Sequence, residues 1–148
     1  MNRINWTRPA CPLPRLSWLL LLPMLLAMTS CATTQDRGSA LQQAQYAWSA
    51  AIRWGDVEGA WSMVDPAYRA EHPMTELEFE RYKQVQISAY HPSGEQADND
   101  VATRGVEIGV INRNTLQTRQ ARYVERWRYD PDSHAWWITS GLPDLWRE

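Results

Sequence analysis

The chain has 148 residues, with 15 basic against 17 acidic side chains and a net charge of −2. That length is enough for one domain, and the absence of a basic excess argues against nucleic acid as a partner, because phosphate backbones select basic surfaces. His72, His91 and His134 are scattered and lack metal-ligand spacing, and there is no Gly-rich phosphate loop or GxSxG elbow, so no metal or cofactor is implied.

The first residues carry Arg3, Arg8 and Arg15 and no acid. An apolar block follows, Leu16–Met28, shorter than the roughly 20 residues that cross a bilayer core. Small residues and a cysteine close it: Met28-Thr29-Ser30-Cys31. Basic start, short apolar block and small residues make a secretory signal pattern. Its end resembles the bacterial lipoprotein signal, or lipobox, with Met28 where Leu is usual. That resemblance implies cleavage before Cys31 and acylation of its sulfur, whose thiolate is the nucleophile. The bilayer would then be held through acylated Cys31, since two or three chains together anchor stably. Ala32, rather than Asp, after the cysteine implies the outer membrane, with the domain in the periplasm. Removing Met1–Ser30 discards three arginines, no acid and Cys11, leaving 118 residues at a net charge of −5 and no cysteine pair for a disulfide.

Residues 31–39 (CATTQDRGS) are polar with one Gly and read as a flexible tether. Residues 40–148 read as the domain. Leu41, Ala44, Trp48 and Ile52 recur at helical spacing over Ala40–Trp54, and Gly55 stops that helix. Asp56 caps a second helix carrying Val57, Ala60, Trp61 and Val64, which Asp65-Pro66 ends. Thr75-Glu76-Leu77-Glu78 fits a capping box for a third, reaching about Lys83.

The period then becomes two. Val85, Ile87 and Ala89 alternate with polar residues in a first strand that His91-Pro92-Ser93-Gly94 ends, with a loop over Glu95–Asp100. Val106, Ile108 and Val110 mark a second strand, Asn112–Thr115 a turn, and Leu116–Tyr129 a long third strand. Asp130–Ser133 turns into a closing strand, Ala135–Thr139. Leu142, Leu145 and Trp146 in the tail should pack back on the sheet.

This is an α+β pattern: two or three N-terminal helices on a four-stranded antiparallel sheet. The runs WGDVEGAWSMVDPAYR and YVERWRYDPDSHAWWIT resemble the NTF2-like superfamily, shaped like SnoaL and ketosteroid isomerase. The resemblance implies a curved sheet wrapped round the helices as a cone with an inner pocket; a cystatin-like domain is the rival. In the third strand Tyr123, Glu125, Trp127 and Tyr129 share one face, opposite Arg122, Val124, Arg126 and Arg128. Glu125 is the one candidate base or ligand anchor, its pKa raised by burial among aromatic rings. Equally, it can pair with an arginine on a neighbouring strand, Arg104 or Arg119. Tyr46, Trp48, Trp61, Tyr123 and Trp127 are candidates to line the same pocket. Two functions follow: a periplasmic lipoprotein that binds an envelope protein or a small apolar ligand, or an isomerase or hydrolase with Glu125 as base. A solvent-facing Trp136 or Trp146 would favour an assembly surface.

Overall fold

The computed structural model describes residues 30–146. Residues 1–29 of the expected leader and the side chain of Cys31, its expected point of acylation, lie outside what is described. Four helices, α1 (Ser30–Trp54), α2 (Val57–Ser62), α3 (Pro66–Glu71) and α4 (Glu76–Tyr82), precede four strands: β1 (Val85–Asp98), β2 (Val101–Asn112), β3 (Thr118–Asp130) and β4 (Ala135–Ile138). The strands form one antiparallel open sheet in the order β1-β2-β3-β4. The α+β architecture expected from the period change is the one formed, with one helix more than the two or three predicted.

The extra helix is α3. Asp65 does not merely end α2: its side chain accepts from the Ala67 N–H at 2.8 Å, and Pro66 takes the first helical turn, where its fixed φ and missing N–H are harmless. The same carboxylate receives Arg128 through Nε at 3.0 Å and Nη2 at 2.6 Å, tying the start of α3 to β3. Burial works to raise the Asp65 pKa, but Arg128 and the Ala67 N–H outweigh it and hold the group below its ordinary value. The caps predicted at Asp56 and Thr75 are present, the second as a full capping box with Glu78.

The predicted tether is corrected. Residues 31–39 are helical, because α1 begins at Ser30 rather than Ala40. Gly38 weakens a helix by about 1 kcal/mol, yet contacts beside it favour order. Arg37 pairs with Asp100 at 2.7 Å, lies 4.8 Å from the Tyr129 ring centroid, and its carbonyl accepts from Trp136 Nε1 at 3.1 Å. Long-range contacts override a locally weak stretch.

The first strand is also longer than predicted. It passes through His91–Gly94 and takes up most of the expected loop, turning only at Asn99-Asp100. Register shifts between Ile87 and Ala89 and between Ser93 and Glu95 absorb the irregular residues. Pro92 is tolerated because β1 is an edge strand, with one side free of ladder bonds. Each shift flips the parity of the inward face, so a strict period-two reading loses the strand at that point.

Inward residues of β2 and β3 meet α1 and α2. Leu41, Trp48, Ile52, Ala60 and Val64 pack with Ala102, Trp127, Tyr129, Trp136 and Ile138. A second cluster, Val85, Val106, Ile108, Val110, Ala121 and Leu145, lies under the tail, which packs back as expected. Ile87, Tyr90 and Tyr123 touch both clusters. The tail is latched at Gly141, φ +70°, whose carbonyl accepts from the Tyr123 hydroxyl at 2.5 Å.

Two glycines test this packing by opposite signs. Gly38 has open space where a Cβ would stand, so Gly38→Ala should raise the unfolding free energy by about 1 kcal/mol in denaturant titrations if α1 is continuous there. An unchanged midpoint would mean the segment is a tether after all. Gly141→Ala adds a Cβ 2.5 Å from the Tyr68 hydroxyl at a left-handed φ, and should lower stability by about 2 kcal/mol.

Asp65→Asn keeps a capping side chain but loses the charge on Arg128, and should cost about 1 kcal/mol at neutral pH. A carboxyl depressed in the folded state stabilises above its ordinary value of 3.8 and loses that contribution as pH falls through the lower folded value. The gap between the variant and the parent should therefore close in acid, as read from thermal midpoints at pH 7 and pH ~3.

Candidate functional site

Glu125 stands at the centre of the inner sheet face, fully buried. Its register partner on β2 is Arg104. Antiparallel pairing sets these two side chains side by side on the inner face, which is why Arg104, and not Arg119, is the partner. Arg104 reaches the carboxylate through Nε at 3.0 Å and Nη2 at 2.8 Å. Trp127 Nε1 donates to it at 3.0 Å, and the Tyr90 hydroxyl donates from β1. Arg104 also donates to Gln45 of α1 at 3.3 Å, and Gln45 passes a hydrogen bond to Glu95 at 3.0 Å. One polar network thus joins α1 to three strands.

Burial pushes the Glu125 carboxyl above its ordinary value, while the Tyr90 hydroxyl, the Arg104 charge and the Trp127 N–H pull it back. Burial and the adjacent carboxylate drive the Tyr90 hydroxyl far upward, which keeps it a protonated donor.

The space a base would need is filled. Trp48, with no exposed surface, packs edge-on against Trp127 at 6.2 Å and stacks with Tyr123 at 6.5 Å. Glu125 lines none of five hollows delimited among the described residues. A hollow at the end of α1, between Ile52, Val57, Val85 and Leu145, holds about 40 Å³, room for a few waters only. Tyr90 touches a shallower one of about 210 Å³ beside Trp54, but its hydroxyl is spent on Glu125.

The pocket candidates separate accordingly. Trp48 and Trp127 are core, and Tyr123 bridges the two core clusters. Tyr46 is corrected: it is 77% exposed and faces away from the interior, since it lies one position beyond the buried Gln45 on α1. Trp136 is buried and Trp146 half-buried, so neither is the solvent-facing tryptophan considered for an assembly surface. Trp54 is exposed instead, at 83%.

Trp61 belongs to a different concavity. Between α2, α3, α4 and the tail lies a groove of about 460 Å³, lined by Trp61, Tyr68, His72, Pro73, Met74, Tyr82, Leu142 and Trp146, with Glu78, Arg81 and Asp144. Its size is that of small-molecule sites. Tyr68 on α3 and His72, which caps the C-terminus of that helix, stack at 4.4 Å. Tyr82 meets Trp146 edge-on at 4.7 Å, Trp61 meets Tyr68 at 6.5 Å, and the Arg81 guanidinium lies 4.2 Å over Trp146. Sequence reasoning missed this site because four of its rings come from elements that pack only in three dimensions. The available signal was Asp65-Pro66: read as an N-cap with proline in the first turn, it puts Tyr68 and His72 on one helical face.

No group of three or more metal-ligating side chains occurs among the described residues. Among them, no helix is long and apolar enough to cross a membrane.

If Glu125 serves to hold the sheet, Glu125→Gln should lower the unfolding free energy by about 3 kcal/mol, because it strands a buried guanidinium. Glu125→Leu combined with Arg104→Met should recover most of that loss in denaturant titrations. A double variant as unstable as the sum of the singles would defeat this account of the pair.

No family model and no curated protein matches the chain. Three solved structures are similar in shape. A SEC-C motif containing protein from Rhodopseudomonas palustris aligns at 12% identity and a TM-score of 0.52, covering 64% of this chain and 71% of that one. A ketosteroid isomerase-like protein from Erwinia carotovora atroseptica aligns at 17% identity and 0.46, covering 68% and 89%. An NTF2-like family protein from Streptomyces avermitilis aligns at 16% and 0.44, covering 68% and 88%. At 12% identity the first likeness is one of fold.

Proposed function

We propose that this chain is an envelope lipoprotein, acylated at Cys31 and held to the periplasmic side of the outer membrane, whose NTF2-like domain binds a ligand or partner instead of catalysing a reaction. One observation carries the choice of binding over catalysis. The candidate base, Glu125, is fully buried, held by Arg104, Tyr90 and Trp127, and lines none of five hollows delimited among the described residues, while the open groove beside α3 is walled by aromatic rings. A base must reach the proton it takes, directly or through one water. Glu125, as packed, reaches only its own donors.

The anchor rests on the leader's pattern. Arg3, Arg8 and Arg15, the apolar block to Met28, and Thr29-Ser30-Cys31 supply in order what export and lipid transfer need. An acidic domain with a net charge of −5 after cleavage would not stay at an anionic bilayer by charge, so acyl chains are the natural attachment.

Cys31→Ser should abolish labelling by a radioactive or clickable fatty acid in growing cells, and leave a precursor larger by about three kilodaltons on gels, the mass of some thirty residues. Unchanged size and membrane fractionation in that variant would defeat the anchor.

A further inference from the structure

On one side the sheet ends before β3 does. β4 has four residues and covers only residues 127–130 of β3. The chain leaves that edge directly afterwards, where the Arg126 carbonyl accepts from the Thr139 N–H at 2.8 Å and the Arg126 N–H donates to the Ser140 hydroxyl at 3.2 Å. Gly141, at φ +70°, then turns the tail under the inner face, where Leu145 packs with Val85 and Ile108. Backbone groups alternate sides along a strand. Arg126 faces the β4 side, so Gln120, Arg122 and Val124 face it too. Among the described residues nothing pairs with their N–H and C=O groups on that side. All three residues are exposed, as at an uncovered edge.

A hollow of about 880 Å³ follows this edge. Arg122, Val124 and Arg126 line it from the outer face, and Tyr123 and Leu142, which pack against the core, from the inner. Glu107, the register partner of Arg122, stands on β2, away from the free edge. It comes only to 3.8 Å, and the Arg122 side chain is 90% exposed. Arg126 makes no ion pair among the described residues.

We infer that this edge takes an acidic, extended segment of a partner protein as an added strand. The surface is separate from the groove beside α3, and the inference stands without that groove. A row of free backbone donors and acceptors at strand spacing is matched in full only by another strand. Small anions would answer the arginines and leave those backbone groups to water. Charge then sets the kind of strand. A second copy joined about a two-fold axis at Arg122 or at Val124 would set Arg122 against Arg122 or Arg126 of that copy, and like charges directly opposite destabilise a pair. A segment with acidic residues at alternate positions meets both arginines on the outer face, while the apolar residues between them lie over Tyr123 and Leu142. Asp144 lines that inner side, a further reason for the acids to point outward.

The test uses the full chain in a zwitterionic detergent with a labelled, end-capped heptapeptide of alternating Glu and Val; a Lys-for-Glu peptide is its control. Binding is read by fluorescence anisotropy and amide hydrogen exchange by NMR. The Glu peptide should bind saturably and slow exchange at the Arg122 and Val124 amides by about tenfold or more. The Lys peptide should do neither, and Arg122→Glu should reverse that preference. Val124→Pro removes an N–H that β2 does not use, so it should weaken binding by about tenfold while the β2–β3 ladder stays intact. If that variant unfolds, two further peptides decide. N-methylation at every Glu or at every Val blocks the amides along one edge only, so one of the two should lose binding and the other keep it. Binding by both would reduce the contact to charge and overturn the added strand. Protection of these amides that rises with protein concentration and needs no peptide would assign the edge to a second copy instead. Unchanged exchange with the Glu peptide would overturn the inference outright.

Discussion

The inner face of the sheet is organised around one ion pair. Glu125 and Arg104 are register partners on β3 and β2, and both side chains are largely or wholly out of water. Two charges taken from water carry a penalty of several kcal/mol each, which their attraction repays only when geometry is good and other hydrogen bonds are made. Here those bonds are made, by Tyr90, Trp127 and Gln45. The pair also discriminates between registers. A slip of one residue between β2 and β3 would turn Glu125 to solvent and leave Arg104 facing rings. Aliphatic neighbours such as Val106 and Ile108 are far more forgiving of exchange than a charge that must find its opposite.

Filling the interior this way has a consequence for function. An inner sheet face whose centre holds an ion pair, three of its hydrogen-bond partners and two indoles packed edge to face leaves Glu125 no exposed surface. One concave surface left open lies elsewhere, where α3, α4 and the tail meet. That groove is built from short elements, each marginal alone and held by specific contacts: the Asp65 cap, the Thr75–Glu78 box, and Tyr82 donating to the Pro143 carbonyl at 3.0 Å. Binding surfaces often draw on such regions, since adaptable elements mounted on a rigid sheet can fit a ligand without disturbing the core.

Where the period was regular, the chain could be read directly. Leu41, Trp48 and Ile52 are buried as their spacing implied, and Tyr123–Tyr129 alternate with outward arginines as their parity implied. The turn at Asn112 forms as expected, with its side chain accepting from Asn114 and Thr115. Three kinds of residue misled. Pro66 read as a stop, although after a capping aspartate it is a start. Pro92 and Gly94 read as the end of β1, although an edge strand with bulges absorbs both. Gly38 and its polar neighbours read as a tether, although Asp100, Tyr129 and Trp136, more than sixty residues away, hold Arg37 in place. Tyr46 points outward because the helical phase set by buried Gln45 and Trp48 leaves it on the opposite face.

Local patterns therefore determined the element types where the period was regular, the inward faces of α1 and β3, and the caps at Asp56 and Thr75. Each rests on interactions among residues a few positions apart, which spacing encodes. Tertiary structure alone decided that Arg104 is the partner of Glu125, that Glu125 has no exposed surface, and that Trp61, Tyr68, Tyr82 and Trp146 share a groove. These are meetings between elements distant in the chain, and no periodicity specifies which of several compatible side chains will occupy the same space.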